Sequence, residues 1–134
     1  MQQEKSVTIR ENVSVNFKYL LYKPDRKSSE KLPLIVFLHG AGERGDDLQK
    51  VKTHGIPKMF DTQVNYNCIV VSPQCPQNTF WVAELKNLKI FVDYIIKEYN
   101  VDEQRIYLTG LSMGGYGTWY MAMAYPDMFA AIAP

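Results

Sequence analysis

The chain is short of cysteine and histidine, with two of each in 134 residues. Two cysteines, Cys68 and Cys75, are too few for a disulfide scaffold. Cys68 is read as lying in the apolar strand with Ile69-Val70-Val71, a reduced core residue, which favours a reducing compartment. An excess of one charge is also lacking: the net charge is +1. That gives no footing for nucleic acid or for an anionic membrane surface. No apolar run approaches the roughly 20 residues of a membrane span. Met1-Gln2-Gln3-Glu4-Lys5 is polar and no apolar stretch follows it, so no signal peptide is expected and a cytoplasmic location is. No repeat, linker or low-complexity tract breaks the chain, so residues 1–134 are read as one domain. A chain near this length hides about two-thirds of its unfolded surface, enough for a real core.

What is present is a pattern of strands and helices. Val7-Thr8-Ile9-Arg10 and Val13 through Tyr22 are extended runs separated by Glu11-Asn12, the pattern of an antiparallel hairpin. Val13, Val15, Phe17 and Tyr19 alternate with Ser14, Asn16 and Lys18, which buries one face and wets the other. Pro24 to Lys31 reads as a charged connector. Leu34 through Leu38 and Ile69-Val70-Val71 are continuously apolar, as strands covered on both faces are. Between them lie a glycine-rich loop, Gly40 to Asp47, and a short helix near Lys58-Met59-Phe60. Leu85, Leu88, Phe91, Val92, Ile95, Ile96 and Tyr99 recur at helical spacing, predicting an amphipathic helix of about four turns. Asn100-Val101-Asp102 ends it and leads to a strand at Ile106. A helix through Tyr125 follows, stopped by Pro126-Asp127, and Phe129 to Ala133 begins one more strand. The alternation predicts an α/β fold: a doubly wound, mostly parallel sheet with an antiparallel N-terminal hairpin.

One pentapeptide carries the chemistry. Gly110-Leu111-Ser112-Met113-Gly114 spells G-x-S-x-G between the run Ile106–Thr109 and the following helix. A serine on such a strand-to-helix turn is forced into a sharp, strained bend that lifts its hydroxyl clear of the sheet. Ser112 is therefore expected at positive φ, with the helix starting near Met113. A serine hydroxyl needs a base to take its proton and donors to hold the oxyanion. The amide of Met113, at the helix start, is one donor. The second is expected from the loop after the first buried strand, Leu38-His39-Gly40-Ala41-Gly42, at Ala41. A lone G-x-S-x-G is a weak signal; joined to a His-Gly-x-Gly loop about seventy residues upstream, it is a strong one.

Together these motifs resemble the N-terminal part of an α/β-hydrolase of the esterase kind, similar to the "predicted peptidase" and feruloyl-esterase-like group related to polyhydroxyalkanoate depolymerases. Leu38 through Asp46 resembles that group's oxyanion loop. Ser72-Pro73-Gln74-Cys75-Pro76 resembles the segment after its next strand, and Asp102 through Gly115 resembles its nucleophile elbow. The resemblance implies hydrolysis of small carboxylic esters through an acyl-serine, with no metal or other cofactor. It also implies that the fold is truncated after the strand following the elbow helix. That helix and strand, with residues such as Trp119 and Met123, are then expected to be covered by a second chain or a homo-oligomer.

Triad order in this fold is Ser, then Asp or Glu, then His, and both histidines lie upstream of Ser112. His39, with Gly40 and Gly42, is read as support for the oxyanion loop, with a role as base the lesser alternative. His54 reads as a solvated loop residue, the alternative being an unusual triad. Asp46, Asp47, Asp93 and Asp127 read as surface or capping carboxylates. Arg44 either meets a substrate carboxylate or holds its loop through Asp46 or Asp47. Trp81, with Phe80, either lines the pocket or packs beneath a loop. The chain thus carries the nucleophile and oxyanion half of a site without its acid–base half. It is a fragment of a longer gene, or half of a two-chain enzyme, or an inactive binding or assembly module.

Overall fold

The computed structural model describes residues 1–10, 14–26 and 28–134. Six strands form one mixed sheet, β1 Gln3–Arg10, β2 Ser14–Tyr22, β3 Leu32–Leu38, β4 Ile69–Pro73, β5 Val101–Gly110 and β6 Ala131–Ala133, in the spatial order β1-β2-β4-β3-β5-β6. β1 and β2 are antiparallel to each other, and β2 is antiparallel to β4. β4, β3, β5 and β6 run parallel. Three helices connect the parallel strands: α1 Gly55–Phe60, α2 Leu85–Glu98 and α3 Met113–Ala124. This is the α/β architecture expected from the sequence. The hairpin turn Glu11-Asn12, with Val13, lies outside the described residues.

The continuous apolar strands are explained by cover on both faces. Along β3, Leu34, Val36 and Leu38 point into a core shared with Leu88, Phe91, Val92 and Ile95 of α2 and Met121 of α3. Ile35 points the other way and packs with Phe60 of α1, Tyr22 and Val70. On the α2 side the aromatic rings interlock, Phe91 standing edge-on to Phe17 at 5.4 Å and to Tyr19 at 5.1 Å. Such pairs add about 0.5–1.5 kcal/mol each beyond the area they bury.

Element boundaries differ from the sequence reading in four places. β1 begins at Gln3 rather than Val7, because its pairing runs the length of β2, Gln3 opposite Leu21 through Arg10 opposite Ser14. Backbone bonding extends this edge strand through polar residues that hydropathy alone reads as a tail. Cys68 lies in the bend before β4, not in it, and both cysteines are free thiols. β5 begins at Val101 rather than Ile106. Asn100, at φ 55, turns the chain out of α2 in the left-handed conformation asparagine tolerates. The polar residues Asp102 to Arg105 are absorbed as an irregularity, Leu32 pairing with Val101 and Leu34 with Ile106. Asp102 accepts from the Gln104 amide and the Arg105 guanidinium, which hold its carboxyl below the usual range. β6, finally, is confined to Ala131–Ala133.

Candidate active site

Ser112 stands at the carboxyl end of β5, one residue before α3, with φ 54 and ψ −112. A non-glycine residue in so sparse a region stores roughly 1–3 kcal/mol of strain that the surroundings must hold. They do so by contact. A Cβ built on Gly114 falls 1.7 Å from the carbonyl oxygen of Leu38, and one on Gly110 falls 2.0 Å from that of Gly114. The first turn of α3 is thus pressed onto the end of β3, and only glycine fits at either flank. The amide of Leu111 donates to the Leu38 carbonyl at 3.1 Å, extending the β3–β5 ladder into the bend. The Ser112 side chain is exposed at the positive end of the α3 dipole.

The loop after β3 meets this bend. A Cβ on Gly40 would sit 3.5 Å from the carbonyl oxygen of Leu111. Ala41–Glu43 forms a 3-10 turn with Gly40 at its N-cap. Ala41 and Met113 each open a helical turn, so helical bonding leaves both their N–H groups free.

His39 is wholly buried behind this loop. Its Nε2 accepts the amide of Cys75 at 2.9 Å, and its Nδ1 lies 2.6 Å from the Gly40 carbonyl. Both nitrogens are engaged, as a brace requires and a general base does not allow. Burial holds its pKa below the ordinary value. His54 is exposed at the N-cap of α1.

Arg44 keeps the loop role through different partners. Its guanidinium donates to the carbonyls of Ala41 at 2.9 Å and Thr79 at 3.0 Å, rather than to Asp46 or Asp47. Asp47 caps the following 3-10 turn, accepting from Gln49, and Asp93 pairs with Lys89 on the surface. Trp81 does not line an open pocket. It is wholly buried, donates its indole N–H to the His39 carbonyl at 2.9 Å, and packs against Gly117 of α3. Phe80 beside it is exposed. Gly42 faces open space, so sterics do not demand a glycine there.

Sequence reading missed Glu43, a carboxylate buried under Gly40. It also missed the support that the segment after β4 gives the loop. The Ser-Pro-Gln-Cys-Pro run, a polar pair between two prolines at the end of an apolar strand, was the available signal.

Comparison with known proteins places the fold. A feruloyl esterase B of Neurospora crassa is 32% identical over 129 residues, covering 87% of this chain and 42% of that protein. A bifunctional acetylxylan esterase/xylanase of Neocallimastix patriciarum is 31% identical over 113 residues, covering 76% of this chain and 15% of its own length. The chain therefore spans less than half of either relative. Among solved structures, a thermostable esterase superposes with TM-score 0.77 at 35% identity, over 96% of this chain and 40% of that one. An acetyl xylan esterase from Aspergillus awamori shares the fold at TM-score 0.73 and 22% identity, over 97% of this chain and 50% of that one. The sheet is that of an α/β-hydrolase, and with residues 20–127 matched by the BD-FAE family model, the chain belongs to the BD-FAE family.

Proposed function

We propose that this chain carries the nucleophile and oxyanion hole of a serine esterase. Ser112 Oγ attacks the carbonyl carbon of a carboxylic ester, and the amides of Ala41 and Met113 hold the developing oxyanion. The serine proton passes through a base to the departing alcohol as the ester C–O bond breaks. Water then attacks the acyl-serine and releases the acid. The observation that carries this reading is the strained backbone of Ser112 at the head of α3, φ 54, with the Gly40–Ala41 turn beside it. Its relatives' names, an acetylxylan esterase/xylanase and a feruloyl esterase, point to acetyl esters of xylan and to feruloyl esters as the substrate class.

His39 is spent as a brace and His54 stands exposed at the N-cap of α1, so on this reading the base and its acid come from polypeptide outside residues 1–134. The same polypeptide, or a second chain, covers the outer face of α3. That helix carries no charged residue, yet Tyr116, Trp119, Tyr120 and Met123 stand exposed on it. Two free thiols suit a reducing compartment. No helix among the described residues is long and apolar enough to cross a membrane.

The test is hydrolysis of p-nitrophenyl acetate by residues 1–134 alone and within the polypeptide their gene encodes. The expected result is negligible turnover alone and Ser112-dependent turnover in the longer polypeptide. Strong Ser112-dependent turnover by the isolated chain would place the base inside it. Turnover in neither would favour the alternative, a non-catalytic binding or assembly module.

A further inference from the structure

Two consecutive residues just after β4, Gln74 and Cys75, grip the oxyanion loop at four points. The amide of Cys75 donates to His39 at 2.9 Å, and the Cys75 carbonyl accepts the amide of Gly45 at 3.0 Å. The side-chain amide of Gln74 donates to the carbonyls of Glu43 and Asp47, each at 2.9 Å. Residues 39, 43, 45 and 47 span the whole loop, and Ala41 lies inside that span. The gripping pair is itself fixed, because the Gln74 amide donates to the Lys18 carbonyl of β2 at 2.9 Å. Cys75 makes its two grips with backbone atoms; the other two both come from one replaceable side chain, that of Gln74.

The cost of that side chain is informative. Gln74 is buried, and its Oε1 has no hydrogen-bond partner among the described residues. A buried polar atom left unpaired opposes folding. Two donors reaching two carbonyls while the oxygen goes without is a poor arrangement for stability and a good one for fixing a loop. Carbonyls of residues 43 and 47 held to one nitrogen set the chord of the loop, and with it the direction of the 3-10 turn that begins at Ala41.

We infer that Gln74 is a positioning residue for the oxyanion hole, acting through the loop carbonyls of Glu43 and Asp47 to set where the Ala41 amide points. This rests on the reading of Ser112 and Ala41 proposed above. A donor displaced by about an ångström loses much of its effect on the reacting oxygen, and a hundredfold loss of rate is within that range.

The test uses Gln74→Met, close in size but without donors, and Gln74→Glu, which regains one donor when its carboxyl is protonated. Amide hydrogen exchange on the 134-residue chain reads the loop directly. Glu43, Arg44 and Gly45 donate to the carbonyls of Gly40, Ala41 and Cys75. Their exchange should quicken at least about tenfold in Gln74→Met, while β3 and β5 hold their protection. In the longer polypeptide, kcat per fluorophosphonate-titrated site should fall about tenfold or more with KM nearly unchanged. Counted per titrated site, which divides out any loss of folded protein, kcat of Gln74→Glu should recover relative to the parent as pH falls. Unchanged loop exchange would overturn the inference, as would unchanged kcat per titrated site where Ser112 is active. Quickened loop exchange in a protein whose Ser112 never reacts would uphold the grip of Gln74 and count instead against the nucleophile.

Discussion

His39 accepts the backbone N–H of Cys75 at Nε2 over 2.9 Å, which puts its own proton on Nδ1, facing the Gly40 carbonyl at 2.6 Å. The ring is held neutral in this tautomer, since a second proton on Nε2 would break the bond to Cys75. Burial lowers its pKa from 6.5, outweighing the hydrogen bond to Gly40 and the Glu43 charge that act the other way.

The sign of the pH dependence follows. A histidine whose folded pKa is depressed stays neutral in the native state while the unfolded chain takes up a proton below about 6.5. Its contribution is complete above about pH 6.5 and is lost progressively as pH falls toward the lowered folded value. Asp102, whose pKa lies below its ordinary 3.8, adds loss only in a more acid window. Urea midpoints measured from pH 8 down to 4.5 should decline below about 6.5. His39→Gln should flatten that decline and lower the plateau by roughly 1–3 kcal/mol, the cost of disturbing a buried hydrogen-bonded group. A midpoint equally pH-dependent in His39→Gln would show that other groups set the slope.

Gly114 and Gly42 make a matched pair. A methyl on Gly114 meets the Leu38 carbonyl at 1.7 Å, with backbone on both sides and no side chain to yield, whereas one on Gly42 meets nothing within 4 Å. Gly114→Ala should cost about 3 kcal/mol or more, and Gly42→Ala within about 0.5 kcal/mol. Thermal melts of the two variants check this. Equal losses would mean the approach of α3 to β3 is softer than it stands.

The two tryptophans should separate by spectroscopy. Trp81 is wholly buried and Trp119 is 55% exposed. With Trp119→Phe, the remaining emission should be blue-shifted and resistant to iodide. Trp81→Phe should leave a red-shifted emitter that iodide quenches, and should also lose stability through the missing bond to the His39 carbonyl. Iodide quenching of Trp81 as strong as that of Trp119 would contradict the packing.

Apolar exposure on α3 should govern behaviour in solution. Tyr116 is 67% exposed and Met123 64%, on a helix with no charge; a helix apolar on all sides is ordinarily buried. Light scattering after size exclusion should find residues 1–134 self-associated, and Trp119→Glu with Met123→Glu should shift them toward monomer. A stable, cooperatively melting monomer of the unaltered chain would show that this face needs no cover.

The sequence was most legible where one physical demand acts on each residue. Alternation in β2, the unbroken run of β3 and the stripe of α2 each report burial: Val15, Phe17, Tyr19, Leu34, Val36, Leu38, Leu88, Phe91, Val92 and Ile95 are buried, while Ile35, Leu85, Ile96 and Tyr99 are half-buried at the margins. The bend at Ser112 was legible because Gly110 and Gly114 answer a steric demand visible in the motif itself. What was illegible depends on partners distant in the chain. β1 extends through Gln3-Glu4-Lys5 because β2 is there to pair with it. Trp81 packs under the loop rather than beside substrate because Gly117 of α3 leaves it room. Arg44 finds the carbonyl of Thr79 rather than a neighbouring aspartate, and no local pattern encodes that choice.

The central claim is that Ser112 is an activated nucleophile, and covalent labelling tests it most directly. The longer polypeptide is treated with a fluorophosphonate and the adduct is mapped by mass spectrometry. The account predicts a single phosphonylated serine, Ser112, blocked by prior incubation with ester substrate and absent in Ser112→Ala. Labelling of a different residue, or none while the polypeptide still hydrolyses esters, would contradict it.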